Sequence, residues 1–181
     1  MKKLFFAAMM CVAAMSANAQ VLTSETVKNV YENVSNQADG DFCFNAEQTG
    51  NDITTMFVYQ KQSNRKGDVT LKPHLKYEYD YAADGTLNSR VTYRWNDMKR
   101  DYEYSARYDY TLDNDNYYAE YSRYNSLKGC FDQPVDKMVY TLSPIDNISH
   151  VVCYHRDRPS DSFQKISDTA VNDLVQLFAK K

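Results

Sequence analysis

Glycine is scarce in this chain, with five residues in 181, so backbone loops able to cradle a phosphate are few. Neither a phosphate-binding glycine loop nor G-x-G-x-x-G occurs, and no G-x-S-x-G elbow or H-E-x-x-H helix is present. Those absences remove the common nucleotide-binding, serine-hydrolase and zinc-protease readings. Beyond the first 19 residues no apolar run approaches the roughly 20 residues a bilayer-spanning helix needs, so no membrane span is expected. Basic residues are not in excess either. Without Lys2 and Lys3 the chain carries 19 basic against 24 acidic residues, a net charge near −5. Affinity for phosphate backbones comes largely from Lys and Arg, which argues against a nucleic-acid partner.

What is present begins with a secretory leader. Lys2 and Lys3 precede an apolar stretch from Leu4 to Met15, and Ser16-Ala17-Asn18-Ala19 offers a small-x-small cleavage site before Gln20. Cys11 lies inside the apolar stretch after Met10, which does not suit a lipid-attachment cysteine, so it leaves with the leader. The expected product is an exported protein, periplasmic or secreted, of 162 residues: one β-rich domain over 20–181, as a monomer or small homo-oligomer. It keeps three cysteines, Cys43, Cys130 and Cys153. An odd number leaves at least one free or paired between chains, and Cys130–Cys153 is the pair expected if a bridge forms.

Tyrosine dominates the rest. Sixteen Tyr, one Trp and six Phe make up about 14% of the exported part. Tyr favours the half-buried surface of a strand, where its ring packs and its hydroxyl reaches a polar partner. The rings fall at strand spacing. Tyr77, Tyr79 and Tyr81 alternate with Lys76, Glu78 and Asp80; Val91, Tyr93 and Trp95 alternate with Thr92, Arg94 and Asn96. Asp84-Gly85 between them is the strongest hairpin signal in the chain. Strands are also expected at 53–61, from Val69 with Pro73 ending it or marking an edge, over 102–110 with a bulge near Ser105, and at 117–124, 137–142 and 149–154. Residues 36–52 read as polar, with Phe42 to Phe44 as a short strand.

An internal repeat underlies the pattern. Tyr79-Asp80-Tyr81 with Asp84, Arg94, Trp95 and Asn96 returns 29 residues later as Tyr108-Asp109-Tyr110 with Asp113, Arg123, Tyr124 and Asn125. Each unit is a hairpin, and successive hairpins on short links make an antiparallel meander. Helices are expected to flank it. Val27, Val30, Tyr31 and Val34 are spaced for a short helix capped by Thr23 or Ser24. Phe163, Ile166, Ala170, Val171, Leu174, Leu177 and Phe178 are spaced for a C-terminal amphipathic one. The fold class is therefore mainly β: a twisted meander of six to eight strands, curled or folded into a small sandwich or open barrel, with N- and C-terminal helices.

Several constellations invite chemistry. Asp113-Asn114-Asp115-Asn116 resembles the start of a calcium loop, but Tyr118 and Tyr124 stand where the loop requires Gly and Glu, so a polar turn is expected. His150, Cys153 and His155 with Cys130 suggest a zinc site only on paper, because on one strand 150 faces away from 153 and 155. No metal and no cofactor is expected. Asp80 with Asp109, or Glu78 with Glu103, would provide a carboxylate pair for glycoside hydrolysis. A solvated sheet face with Arg90, Arg94, Arg107 and Arg123 as cross-strand partners explains the same residues. The aromatic rows are the better lead. Tyr117 and Tyr121 oppose Tyr124 in parity, so some rings must lie on an outer face. Outward rings beside charged groups suit a protein interface and can also hold sugars; a Tyr-rich core with its hydroxyls at the rim is the competing reading.

Tyr93-Arg94-Trp95-Asn96, the stretch Tyr117–Asn125, and Phe131-Asp132-x-Pro134-x-x-Lys137-Met138-x-Tyr140 resemble a small exported family of gut Bacteroidales, domain of unknown function 3836. That resemblance covers about residues 60–158 and the leader. It implies location and an all-β fold, and brings no site. The expectation is an exported, non-enzymatic binding or structural module for a protein or glycan ligand, with Tyr93, Arg94, Trp95, Arg123 and Tyr124 making contact. A carboxylate-dependent hydrolase such as a glycosidase is the alternative class, and a partner that buries an edge strand is a third.

Overall fold

A computed structural model describes residues 22–36, 40–64, 67–113, 116–142 and 149–171. The leader expected over residues 1–19, the centre of the 113–116 turn and the 144–147 link lie outside the described residues. Helix α1 is Ser24–Ser35. The strands that follow are β1 Phe42–Thr49, β2 Asp52–Ser63, β3 Val69–Tyr81, β4 Leu87–Asn96, β5 Asp101–Asp113 and β6 Asn116–Asn125. They continue with β7 Cys130–Phe131, β8 Asp136–Leu142, β9 Ser149–His155 and β10 Gln164–Val171.

All pairings are antiparallel and nearly all join sequence neighbours: β1-β2-β3-β4-β5-β6-β8-β9-β10, with the two-residue β7 also beside β6. This is the expected meander, with ten strands among the described residues rather than six to eight, and among those residues β1 and β10 do not meet to close it. One face is buried and carries α1; it is called inner here, and the opposite face outer. The core on the inner side is built from Val27, Ile53, Met56, Tyr79, Leu87, Ala106, Tyr108, Tyr110, Tyr117, Ala119 and Tyr121. Tyrosine thus occupies places that Leu and Ile fill in most domains. Burial pushes the phenols of Tyr79, Tyr108 and Tyr117 well above their ordinary range, so they are neutral rings in this core.

Helix α1 starts where Thr23 caps it: its side chain accepts from the Thr26 backbone N–H, and the Thr26 hydroxyl accepts from that of Thr23. The Ser24 N–H donates to the Gly85 carbonyl at 2.9 Å, which ties the helix start to the Asp84-Gly85 turn. Gly85 sits at φ 82°, a conformation that suits glycine. Val27 and Val30 then fall on the buried side.

Irregularities in the strands have readable causes. Strand β3 runs through Pro73 instead of ending there. Pro73 lies beside a register shift with β2 and beyond the reach of β4, whose pairing begins at Leu75, so its missing N–H breaks no ladder on that side. On β5 the bulge falls at Ser105: Thr92 faces Ala106, and Tyr93 faces Tyr104. That one extra residue switches parity along β5. Tyr102 and Tyr104 point outward, whereas Tyr108 and Tyr110 point into the core.

The C-terminal expectation requires correction. The segment expected to begin a helix at Phe163 is instead strand β10, paired with β9 from Gln164↔His155 to Val171↔Ser149. Its first six residues, QKISDT, include Ser, Asp and Thr, which favour non-helical backbone, and β9 offers an open edge. Ile166, the first apolar residue of the expected helical stripe within this strand, is the bulged residue and is 52% exposed. Residues 172–181 lie outside the described ones. Strand β1 is longer than the Phe42–Phe44 expected; its C-terminal half, Asn45 to Thr49, carries mostly polar, exposed side chains, as an edge tolerates. The three cysteines are free thiols, so the Cys130–Cys153 bridge is not formed. Cys130 is exposed on β7, and Cys153 is buried with Val151, Met138 and Tyr140 around it.

Candidate functional site

The outer face carries two connected groups of rings, placed there by strand alternation on β2, β4 and β6 and by the Ser105 bulge on β5. In the first, Phe57 packs 6.2 Å from Tyr102, and Tyr102 meets Trp95 edge-on at 5.1 Å. In the second, Tyr93 lies 4.7 Å from Tyr104, Tyr104 lies 5.0 Å from Tyr124, and Phe131 closes on both at 5.7 and 5.3 Å. The Lys76 ammonium bridges the groups, 3.9 Å from the Tyr93 ring centre and 5.7 Å from that of Tyr102. Arg107 lies 5.2 Å over Phe131 and pairs with Asp109 at 2.9 Å. Tyr93 is buried beneath these neighbours, while Tyr104 is 48% exposed. Among the described residues, no helix covers this face.

Lys76, Glu78 and Tyr93 form a closed polar set within the rings. Lys76 donates to Glu78 at 2.7 Å, and the Tyr93 hydroxyl donates to the other Glu78 carboxylate oxygen. Burial works to raise the Glu78 pKa, but the Lys76 and Tyr93 hydrogen bonds outweigh it and hold the carboxyl below its ordinary range. Tyr93 moves upward, through burial first and then through its bond to the carboxylate. The set is therefore an ionised carboxylate whose charge is already answered, which suits a positioning element better than a proton donor.

Of the five residues proposed from sequence, Tyr93, Trp95 and Tyr124 come together on this face. Arg94 and Arg123 do not. Each follows or precedes a ring by one residue on a strand, so alternation sends it through the sheet to the other side, where both are exposed. The sequence reading missed Phe131, which lies between the strands expected at 117–124 and 137–142, and Phe57 and Lys76, which take part only through cross-strand pairing. The carboxylate pairs separate as well. Glu78 is on the outer face and Glu103 on the inner, where Asn96 donates to it at 2.7 Å. Asp80 and Asp109 share the outer face with Ser89 registered between them, and Asp109 is already paired with Arg107. Arg90, expected as an exposed cross-strand partner, is buried at 3% exposure. His150 faces away from Cys153 and His155, as strand parity requires, and among the described residues no three His, Cys, Asp or Glu side chains converge to hold a metal ion.

The repeat reappears at one end of the sheet. Asn96 accepts from the N–H groups of Met98 and Lys99, and Asn125 accepts from those of Leu127 and Lys128. Lys99 pairs with Glu103, and Lys128 with Asp132. The two turns lie at the same end of the sheet and leave Met98 95% and Leu127 98% exposed. Beside ordered rings, such matched apolar tips resemble the anchors of a docking surface.

Sheet order, register and the two-sided distribution of tyrosine define a class: an open antiparallel meander with one buried aromatic face and one accessible aromatic face. The chain belongs to the family of unknown function DUF3836, whose model matches residues 1–142. It is similar to a crystal structure of a protein with unknown function from Bacteroides fragilis NCTC 9343, at 23% identity and a TM-score of 0.61, covering 72% of this chain and 92% of that one. It also matches a DUF3836 family protein from Bacteroides vulgatus ATCC 8482, at 21% identity and a TM-score of 0.47, covering 52% and 91%. A third, from Parabacteroides distasonis ATCC 8503, matches at 17% identity and a TM-score of 0.49, covering 56% and 90%. The first of these likenesses supports the fold and says nothing of activity. No curated protein matches the chain. Among the described residues no helix is long and apolar enough to cross a membrane.

Proposed function

We propose that the protein is exported and works outside the cytoplasm as a non-enzymatic binding module, gripping a protein or glycan ligand with its outer aromatic face. The observation that carries this is the pair of ring groups running from Phe57 to Phe131, bridged by Lys76 and flanked by Arg107, on a side of the sheet that supplies almost none of the core. Rings held rigidly by their neighbours lose little freedom when a ligand settles on them, which makes them efficient contact groups. Tyr104, Trp95 and Tyr124 supply the contact area, Tyr93 with Glu78 and Lys76 holds the rings in place, and Met98 and Leu127 extend the surface at one end. The leader at Lys2–Ala19 supports export.

The test is a paired assay with native protein and Trp95→Ala: a glycan array for sugar ligands and a pull-down from envelope extracts for protein ligands. The proposal requires at least one positive assay with the native protein, and loss of that signal in the variant while its melting temperature holds. No ligand in either assay, or undiminished binding by the variant, contradicts it.

A further inference from the structure

Beneath α1, the inner faces of β1 to β4 leave a cavity of about 180 Å³ walled by Val30, Val34, Phe44, Met56, Val58 and Leu75. Arg90 and His74 also line it. Arg90 is the anomaly. It is buried at 3% exposure, its Nε has no hydrogen-bond partner, and among the described residues it forms no ion pair. A guanidinium cannot shed its proton to escape that position. Its company consists of tyrosine rings, Tyr77 at 5.2 Å and Tyr108 at 4.7 Å from the guanidinium carbon. Ring faces attract a cation but do not replace a counter-charge, and a buried, unpaired charge is among the costlier things a fold can carry.

The repeat sharpens the anomaly. Opposite Tyr79, β4 places Arg90; opposite its repeat mate Tyr108, β6 places Tyr121. Counting 29 residues along the chain instead, Arg90 maps to Ala119, which is also buried. Under either alignment the second hairpin closes its core without a charge there. The fold alone does not require an arginine at this place.

We infer that the cavity is a binding site for a small amphipathic carboxylate, an alkanoic or aryl-alkanoic acid, whose headgroup meets Arg90 and whose apolar tail lies between α1 and the sheet. The volume sets the size: a cavity of roughly 150 Å³ accommodates a benzene ring, so this one takes a tail of about six to eight carbons. The neighbourhood is positive as well. His74 sits in the bulge of β3, and its pKa is lowered by burial and then by the nearby charges of Arg94 and Lys72. Apolar walls with one convergent charge are how small-ligand pockets combine affinity with orientation. This site is separate from the outer aromatic face and stands or falls without it.

The decisive experiment titrates the purified protein with octanoate and with its uncharged counterpart octanamide, following binding by calorimetry and by the shift in melting temperature. Octanoate should bind about tenfold or more tightly than octanamide and raise the melting temperature. Arg90→Met, which fills similar volume without charge, should bring the two probes to parity. Val34→Trp, which leaves Arg90 in place and obstructs the cavity, should weaken octanoate about tenfold or more; it decides the matter if the Arg90 variant fails to fold. Equal binding of the two probes by the native protein, no octanoate binding in the millimolar range, or octanoate binding that Val34→Trp leaves intact would overturn the assignment.

Discussion

The hairpins β3–β4 and β5–β6 are repeats of one another, and their differences say more than their likeness. Both stack a pair of tyrosines on the inner face with the same geometry: Tyr79 and Tyr81 at 6.4 Å and 17°, Tyr108 and Tyr110 at 6.4 Å and 18°. Both end in an Asn-capped turn braced by a Lys–carboxylate pair. These shared features are what a hairpin of this kind needs in order to stand. The first hairpin alone carries a buried arginine, and the outer ring that is Tyr124 in the second is Trp95 in the first. It also places Arg100 at φ 54° where the second has Gly129 at φ 69°. Features common to both units read as architecture, and features peculiar to one are where a function specific to this chain is to be sought.

The largest expected effect tests the shared part. Tyr79→Ala and Tyr108→Ala should each lower stability by about 3–5 kcal/mol, the cost of emptying a buried aromatic site. Tyr104→Ala on the outer face should cost less than about 1 kcal/mol. Denaturant melts of the three variants check this, and a mild result at only one of the inner positions would mean that the repeat is not structurally doubled.

A smaller effect probes the turns. Arg100 is in the left-handed region without being glycine, at a strain of roughly 1–2 kcal/mol. Arg100→Gly should therefore stabilise, with part of that gain offset by glycine's greater freedom in the unfolded chain, for a net of less than about 1 kcal/mol. Gly129→Arg should do the opposite. Paired thermal melts would show opposite signs; equal signs would break the correspondence between the turns.

The smallest effect concerns Glu78, which the second hairpin matches with Arg107 rather than with another acid. Its folded pKa is depressed, so its contribution is present above the unfolded value and is lost as pH falls through the folded one. The side chain is 42% exposed, so water screens the pair and the effect stays under about 1 kcal/mol. Between about pH 5 and 3, the native protein should lose slightly more stability than Glu78→Gln. Parallel acid-dependent denaturation curves for the two would show that the Lys76–Glu78–Tyr93 set contributes nothing.

Local features were legible in the sequence where local physics decides them. The cap at Thr23, the Asp84-Gly85 turn, the Ser105 bulge and the opposed parity of Tyr121 and Tyr124 each follow from a few adjacent residues. The misses share a cause. A helix was expected after Phe163 because periodicity ignores an open strand edge, and β9 supplies that edge from elsewhere in the chain. Arg94 and Arg123 were grouped with Trp95 and Tyr124 by sequence adjacency, which on a strand means opposite faces. The burial of Arg90 depends on which strands flank β4 and on where α1 lands, and no single segment encodes either. Tyr93, Trp95 and Tyr124 of the outer rings were readable, because rings at strand spacing are conspicuous. The cavity was not readable at all.

The separation of one sheltered tyrosine face from one accessible aromatic face can be tested by hydroxyl-radical footprinting of the native protein, read residue by residue by mass spectrometry. Trp95 and Tyr104 should oxidise readily, and Tyr79, Tyr108, Tyr110 and Tyr117 should be protected until the protein unfolds. Protection of Trp95 and Tyr104 equal to that of Tyr108 would contradict the account, since no open ring surface would then remain for a ligand to meet.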